Sequence, residues 1–337
     1  MNSQRSSLRQ IMSGVFALGI VAIIVFFWPI ENAQGLSDAP YPNRAIRLIV
    51  PFSPGGVSDT LARVIADNLE RMHGQPVIVE NRPGASGNIA SEIVAKSASD
   101  GYTLLVAGNS ITILPATMGA NAVDPVRAFA PVTRLVTQPI LIAVNSALTA
   151  QTLPEMIALA RDAPGKIDYA TPGIGTTDHL SAAMLWSRAN VELVHIPYAN
   201  SGQEIKELVQ GDVKVAFITI GAVASHLREG KLRALAVTSA HRVAALPQVP
   251  TVAEAGYPGF EVLSWYGVLA PIGTPRSIVD QLNRDITAIM QSPGVREKCA
   301  SLGVEPATDN PDEFAQDIQR LVLYWQPVVR SAGIPSQ

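Results

Sequence analysis

The chain has 337 residues, 47% hydrophobic and 16% charged, with 25 Gly and 25 Pro, so it is long enough for two ordinary domains and too apolar to be disordered. A net charge of −3, with no basic tract interleaved with aromatics, excludes a nucleic-acid binder. The single cysteine, Cys299, excludes an internal disulfide, and five scattered histidines without paired ligand spacing exclude an ordinary metal centre.

In chain order, Arg5 and Arg9 precede an uncharged apolar run over residues 11–30. A basic lead and an apolar core describe a secretory signal, and the run is also long enough to span a bilayer. Ala33 and Gly35 place small residues at −3 and −1 of a cut after Gly35, and no cysteine follows to accept a lipid. Residues 1–35 are therefore expected to be a signal peptide, with a retained N-terminal anchor as the alternative. Either way the chain from about residue 36 lies outside the inner membrane.

Strand–helix alternation follows. "AIRLIVPF" reads as a buried strand, and Leu61, Val64, Ile65, Leu69 and Met72 then fall at helical spacing before Gly74. "PVIVEN" is a second strand, "GASGNIASEIVAKSASDG" a helix opening on small residues, and "YTLLVAG" a third strand. A second set runs through "QPILIAVN", the helix "TLPEMIALARDAPGK", a strand and glycine loop in "IDYATPGIG", and a further helix. It continues through "VELVHIPY", a helix with Ile205, Leu208 and Val209 on one face, then the strands "VKVAFITIG" and "LRALAVTSA". Two helices close the chain, and "SWYGVLAPIGTP" reads as a covering loop. Such alternation with short links predicts an α/β fold of parallel sheets flanked by helices, in two lobes with a cleft between them.

Two loops stand out. In "PFSPGGVSD", residues 51–59, a strand hands over to a helix through Gly55 and Gly56, with Ser58 and Asp59 able to cap. Helix-start amides lack internal partners and sit at the positive end of the helix dipole, so such a turn holds an anion without a cation. "YATPGIGTTDHL", residues 169–180, repeats the logic with Gly173, Gly175, Thr176 and Thr177. His179 falls in that helix start, either against a ligand or on the helix behind it. One donor-rich helix start in each half could grip a carboxylate from both sides. There is no P-loop, no complete dinucleotide fingerprint and no G-x-S-x-G elbow. No cofactor is expected.

Several stretches together resemble the tripartite tricarboxylate transporter substrate-binding proteins, the Bug family: "YPNRAIRLIVPFSPGGVSD", "VIVENRPGASGNIA", "SDGYTLLVAG", "HIPYANSG", "GKLRALAVTSAHRVAALPQVPTVAEAGYPGFE" and "WYGVLAPIGTPR". The resemblance runs from about residue 41 to about 335. It implies a periplasmic binding protein of the type II kind, a Venus flytrap with lobe 1 over 36–136 plus 236–337 and lobe 2 over 137–235. It also implies a monomeric receptor, not an enzyme, that closes on a small organic acid and delivers it to a membrane permease of one large and one small subunit. Carried over by residue, Phe52, Ser53, Gly55, Gly56, Ser58 and Asp59 would form one pincer. Thr171, Gly175, Thr176, Thr177 and His179 would form the other. Asn109 and Ser110 would line the floor, and Tyr198 and Ser201 a wall, Tyr198 being equally suited to packing at the hinge.

The chain departs from the family pattern in places. Serine stands at Ser58 where relatives commonly have threonine, and Ala199 and Gly202 stand in regions where they carry lysine and proline. "VKVAFITIG" replaces a segment in which some relatives have an aspartate that meets a ligand's amino group. Ile218, Thr219 and Ile220 could not do so, which points to a ligand without an ammonium group. Two other functions share this sequence: an orphan receptor signalling through a two-component sensor kinase, and an exported α/β enzyme. The second requires an activated nucleophile that no motif supplies.

Overall fold

A computed structural model describes residues 40–198 and 201–334. The expected signal or anchor, residues 1–35, and Ala199 lie outside the described residues. From Arg44 onward the chain forms one compact unit.

The first half is built as its apolar runs dictate. β1 (Ile46–Val50), β2 (Val77–Asn81) and β3 (Thr103–Gly108) pair in parallel, with β1 central. α1 (Val57–His73) links β1 to β2, burying Leu61, Ile65 and Leu69 at helical spacing and ending on the left-handed Gly74. α2 (Asn88–Ala95) links β2 to β3, and α3 (Ser110–Met118) leaves the end of β3.

β4 (Phe129–Asn145) is one continuous strand of 17 residues, although only its second half reads as a strand in the sequence. Its residues Phe129–Pro139 run antiparallel to β9 (Leu263–Pro271), and Ile140–Asn145 run antiparallel to β7 (Val215–Thr219) and β8 (Leu232–Val237). Beyond β7 lie β5 (Asp168–Thr171) and β6 (Val194–Pro197), paired in parallel. The sheet order is thus β2-β1-β3-β9-β4-β7-β5-β6. The short β10 (Glu305–Pro306) adds to β4.

The expected covering loop "SWYGVLAP" is instead the core strand β9. Trp265 and Val268 to Ala270 are all buried. Buried on both sides, the strand shows no polar–apolar alternation, which is why its sequence does not announce it. Gly267 adds a second reason: a Cβ there would lie 2.5 Å from the Phe314 ring, so close packing requires a residue that looks like a loop former.

Helices flank the second half in the same way. α4 (Leu153–Asp162) precedes β5, α5 (Thr177–Ala189) follows β5, α6 (Ser201–Gln210) follows β6, and α7 (Ile220–Arg228) follows β7. The chain closes with α8 (Arg276–Gln291), α9 (Pro293–Leu302) and α10 (Pro311–Ser331), one helix more than the periodicity suggests. Cys299 is buried in α9.

Candidate functional site

Parallel strands put all their carboxyl ends on one edge, and the loops that follow collect there. For β1 and β3 that edge carries the loop 51–56 and Asn109. For β5, β6 and β7 it carries the loop 172–176 and the first turns of α5, α6 and α7. The two edges meet: the buried Asn109 donates from Nδ2 to Oγ1 of Thr177 at 3.0 Å. Asn109 is itself held, its N–H bonded to the Trp265 carbonyl and its own carbonyl and side chain receiving Thr112.

The first loop is built as an open cradle on a fixed base. Ser53, Gly55 and Gly56 are exposed, whereas Ser58 and Asp59 are buried. Gly55 has φ +91°, which favours glycine. Gly56 caps α1 with no side chain, so the first-turn amides are available to an incoming acceptor. The Asp59 carboxylate accepts from the Gly55 N–H, from Arg63 through two bonds and from Asn81, all at 3.0 Å. Burial alone would raise its carboxyl, but these donors outweigh it and hold it below the ordinary range. Asn81 also donates to the Phe52 carbonyl at 2.9 Å. Asp59 and Asn81 thereby set the shape of the turn from beneath, and Asn81 is a residue the sequence reading did not single out.

The opposing loop is closed on itself by side chains. Thr176 caps α5, donating to the Gly173 carbonyl at 2.8 Å and accepting from the His179 N–H at 3.2 Å. The Gly175 N–H donates to His179 Nδ1 at 3.1 Å. The His179 and His195 rings stack with centroids 3.9 Å apart, and His195 Nε2 shares a 2.7 Å hydrogen bond with the buried Thr171 hydroxyl. Burial, and for His179 the neighbouring His195, lowers both rings to about 4, so the stack is uncharged at neutral pH. Neutral stacked rings make a flat, rigid support for the glycine loop and place no cation in it.

The remaining expected residues spread around this centre. Phe52 and Tyr266 converge on Gly108, where a Cβ would lie 3.3 Å from the tyrosine ring and 3.6 Å from the phenylalanine ring. Ser110 begins α3 beside Asn109, and Ser201 begins α6. Tyr198 is buried and donates its hydroxyl to Glu207 at 2.5 Å. Two acids that the sequence reading passed over lie at the same edge. Asp178 is in the first turn of α5, and Glu204 is fully buried in the first turn of α6. Burial pushes Asp178 up to about 7, and burial together with the Asp178 charge pushes Glu204 up to about 8. Burial and the same Asp178 charge raise Tyr266 to about 12.

A pocket of about 350 Å³ elsewhere is lined by Arg134, Arg188, Trp265, Arg320 and Trp325 among others. Its arginines are engaged: Arg134 with Asp309 and Asp317, Arg320 with Asp317, and Arg188 over the Phe260 ring. The uncapped first turn of α1, not this pocket, offers amides to a ligand.

Comparison with known proteins places the chain among receptors. The model of the tripartite tricarboxylate transporter family receptor matches residues 61–334. Protein BugT of Bordetella pertussis (strain Tohama I) is 37% identical over 324 residues, covering 93% of this chain and 97% of BugT. The solved structure of R. palustris Rpa4515 with adipate is 35% identical, with a TM-score of 0.79 over 88% of this chain and 99% of that one. MatC (Rpa3494) from Rhodopseudomonas palustris with bound malate is 32% identical, with a TM-score of 0.74 over 86% of this chain and 100% of MatC. With its opposed strand edges and these likenesses, the chain has the two-lobed α/β fold of periplasmic binding proteins and belongs to the tripartite tricarboxylate transporter receptor family.

Proposed function

We propose that this chain is an exported, monomeric receptor that closes on a small organic acid and hands it to a permease of one large and one small subunit, without turnover and without a cofactor. The lobes are assigned to 36–136 plus 236–337 and to 137–235. The ligand carboxylate rests on the Ser53 hydroxyl and the amides of Gly56 and the α1 first turn, against the open backbone of Gly55 and opposite Thr176 and Thr177. The observation that carries this reading is the Asn109–Thr177 hydrogen bond, which brings the carboxyl edge of one set of parallel strands onto that of the other. Adipate and malate, bound by two of the similar proteins, are acids of the size such a gap would hold.

Calorimetric titration with adipate, malate and succinate tests it. Thr177→Val removes the hydroxyl that receives Asn109, and the best acid should bind at least tenfold more weakly, a loss of about 1.4 kcal/mol or more. Gly56→Asp should do the same by placing a carboxylate where the ligand's belongs. A Cβ at Gly56 meets only the Ser53 carbonyl at 3.9 Å, and its φ of −77° is open to any residue, so the variant should fold. Both variants should melt within a few degrees of the wild type. Unchanged affinity in both would place the ligand elsewhere, and consumption of the acid by the purified protein would mark an enzyme instead.

A further inference from the structure

Glu204 is the least compensated polar group of the cleft. Its residue is fully buried, and among the described residues neither carboxylate oxygen has a hydrogen-bond partner. Nor does Oδ1 of Asp178. A lone buried carboxyl on an outer helix face would be an oddity of packing, but the register of α6 gives this one an address. Glu204 and Leu208 are its buried residues and fall one turn apart on one stripe. Leu208 packs among Ala170 of β5 and Ala216 and Ile218 of β7. Glu204 lies one turn nearer the helix start, at the edge where those strands end. Asp178 reaches the same edge from α5, next to Thr177, which touches Asn109 from the other side.

Two neighbouring acids with three buried oxygens unpartnered and no cation beside them are unstable as a finished arrangement. A buried carboxylate is expensive unless it is paired, and two together repel. Burial favours the protonated form of both, and even so neither Glu204 oxygen nor Oδ1 of Asp178 has a hydrogen-bond partner among the described residues. One kind of group satisfies these oxygens: a cationic nitrogen carrying several N–H bonds, arriving with the ligand and donating to the carboxylates as their protons leave to solvent.

We infer that Asp178 and Glu204 form a second ligand subsite that takes an ammonium or comparable multi-donor nitrogen, so that the solute bears such a group as well as a carboxylate. This rests on the receptor reading above. The solute is then dipolar, its carboxylate on the α1 cradle and its nitrogen against α5 and α6. The junction of β7 and α7, with Ile218, Thr219 and Ile220, offers an amino group no carboxylate, and the acids come instead from the first turns of two neighbouring helices. The subsite selects between solutes: a dicarboxylate of matched length would set its second carboxylate against two acids, whereas an amino acid would let both ionise and pair.

The test is a paired titration of the full mature chain. Each dicarboxylate is set against the amino acid in which ammonium replaces one carboxylate: succinate against 3-aminopropanoate, glutarate against 4-aminobutanoate and adipate against 5-aminopentanoate. The 2-amino acids alanine and norvaline cover a nitrogen close to the anchored carboxylate. The best amino acid should bind at least tenfold more tightly than every dicarboxylate. Glu204→Gln combined with Asp178→Asn, both isosteric, should lower that ratio at least tenfold. The ratio in the unmodified protein is informative even if the double variant does not fold. A dicarboxylate preferred by the unmodified chain, or a ratio unmoved in a folded double variant, overturns the nitrogen subsite and leaves the organic-acid receptor standing. If neither series binds, the receptor reading falls and takes the subsite with it.

Discussion

Asp59 and Glu204 are both buried acids at the start of a helix, and they behave in opposite ways because their surroundings differ. Asp59 is surrounded by Arg63, Asn81 and the Gly55 N–H, stays ionised and fixes the turn above it. Glu204 has no such donors and is protonated until well above the ordinary carboxyl range. The pH dependence of stability follows from which state holds more protons. Asp178 and Glu204 titrate near 7 and 8 in the fold, against ordinary values of 3.8 and 4.5 in the unfolded chain. Between those limits the folded state holds more protons, so stability falls as pH rises. His179 and His195 titrate near 4 in the fold against 6.5 unfolded, so over that interval the unfolded chain holds more protons and stability rises with pH. The two effects oppose each other below 6.5, and above it only the acids act. The melting temperature should therefore drop between pH 6.5 and about pH 8, and Glu204→Gln should flatten that drop. Equal slopes for the two proteins in a calorimetric pH series would mean that Glu204 is already ionised in the fold.

Among the elements, β9 shows how tightly the centre of the sheet is built. It joins β3 to the long strand β4, and its Gly267 lets the Phe314 ring of α10 lie directly on the backbone. In Gly267→Ala the new methyl would sit 2.5 and 2.7 Å from two ring carbons and 3.0 Å from the Thr133 carbonyl. The ring cannot retreat freely, since it also packs edge-on against Trp265 with centroids 5.1 Å apart. The substitution should cost roughly 1–3 kcal/mol, the usual penalty for overpacking, measured by urea unfolding. A neutral result would show that α10 can slide. The same strand marks the limit of what the sequence could reveal. β1, β3 and the amphipathic face of α1 were legible because apolar runs and helical spacing are local signals. β9 and the first half of β4 were not, because Gly267 and Pro131 read as loop formers until their neighbours are known. At the site the glycine and threonine loops were legible from composition and position after a strand. The acids were not: Glu204 in "SGQEI" resembles an exposed helix charge, and only its four-residue spacing from Leu208 hints that it shares the buried stripe. Asn81 acts through a turn 22 residues away from Asp59, a distance no local pattern encodes.

In the whole molecule the chain passes between the two sets of strands at one narrow place. β4 changes partners at Ile140, from β9 to β7 and β8, and the return path runs from the end of β8 towards β9. Thr238 ties these crossings together. Its N–H bonds the Ile140 carbonyl, and its hydroxyl accepts from the Ile140 N–H at 2.9 Å and donates to the Val262 carbonyl at 2.6 Å. Its own carbonyl receives the Val262 N–H at 2.9 Å. Thr238 is fully buried, so these bonds are shielded from water and form a firm pivot. Among the described residues, the polar bond joining the loops on either side of the cleft is Asn109 to Thr177, worth only about 0.5–1.5 kcal/mol net. A firm pivot beside a weak latch is the arrangement of a hinge whose closed state needs a ligand to persist. Small-angle scattering should therefore show the radius of gyration shrinking when the unmodified chain is saturated with an acid that calorimetry shows to bind. In Thr238→Val the backbone bonds remain while Ile140 N–H and Val262 C=O lose a partner, so the pivot loosens. The unliganded scattering curve should then indicate a broader spread of sizes, and a larger part of the binding energy should go into ordering the lobes, which lowers affinity. Tight binding with no change in the radius of gyration of the unmodified chain would mean that the lobes do not hinge and that the solute enters a cleft already closed.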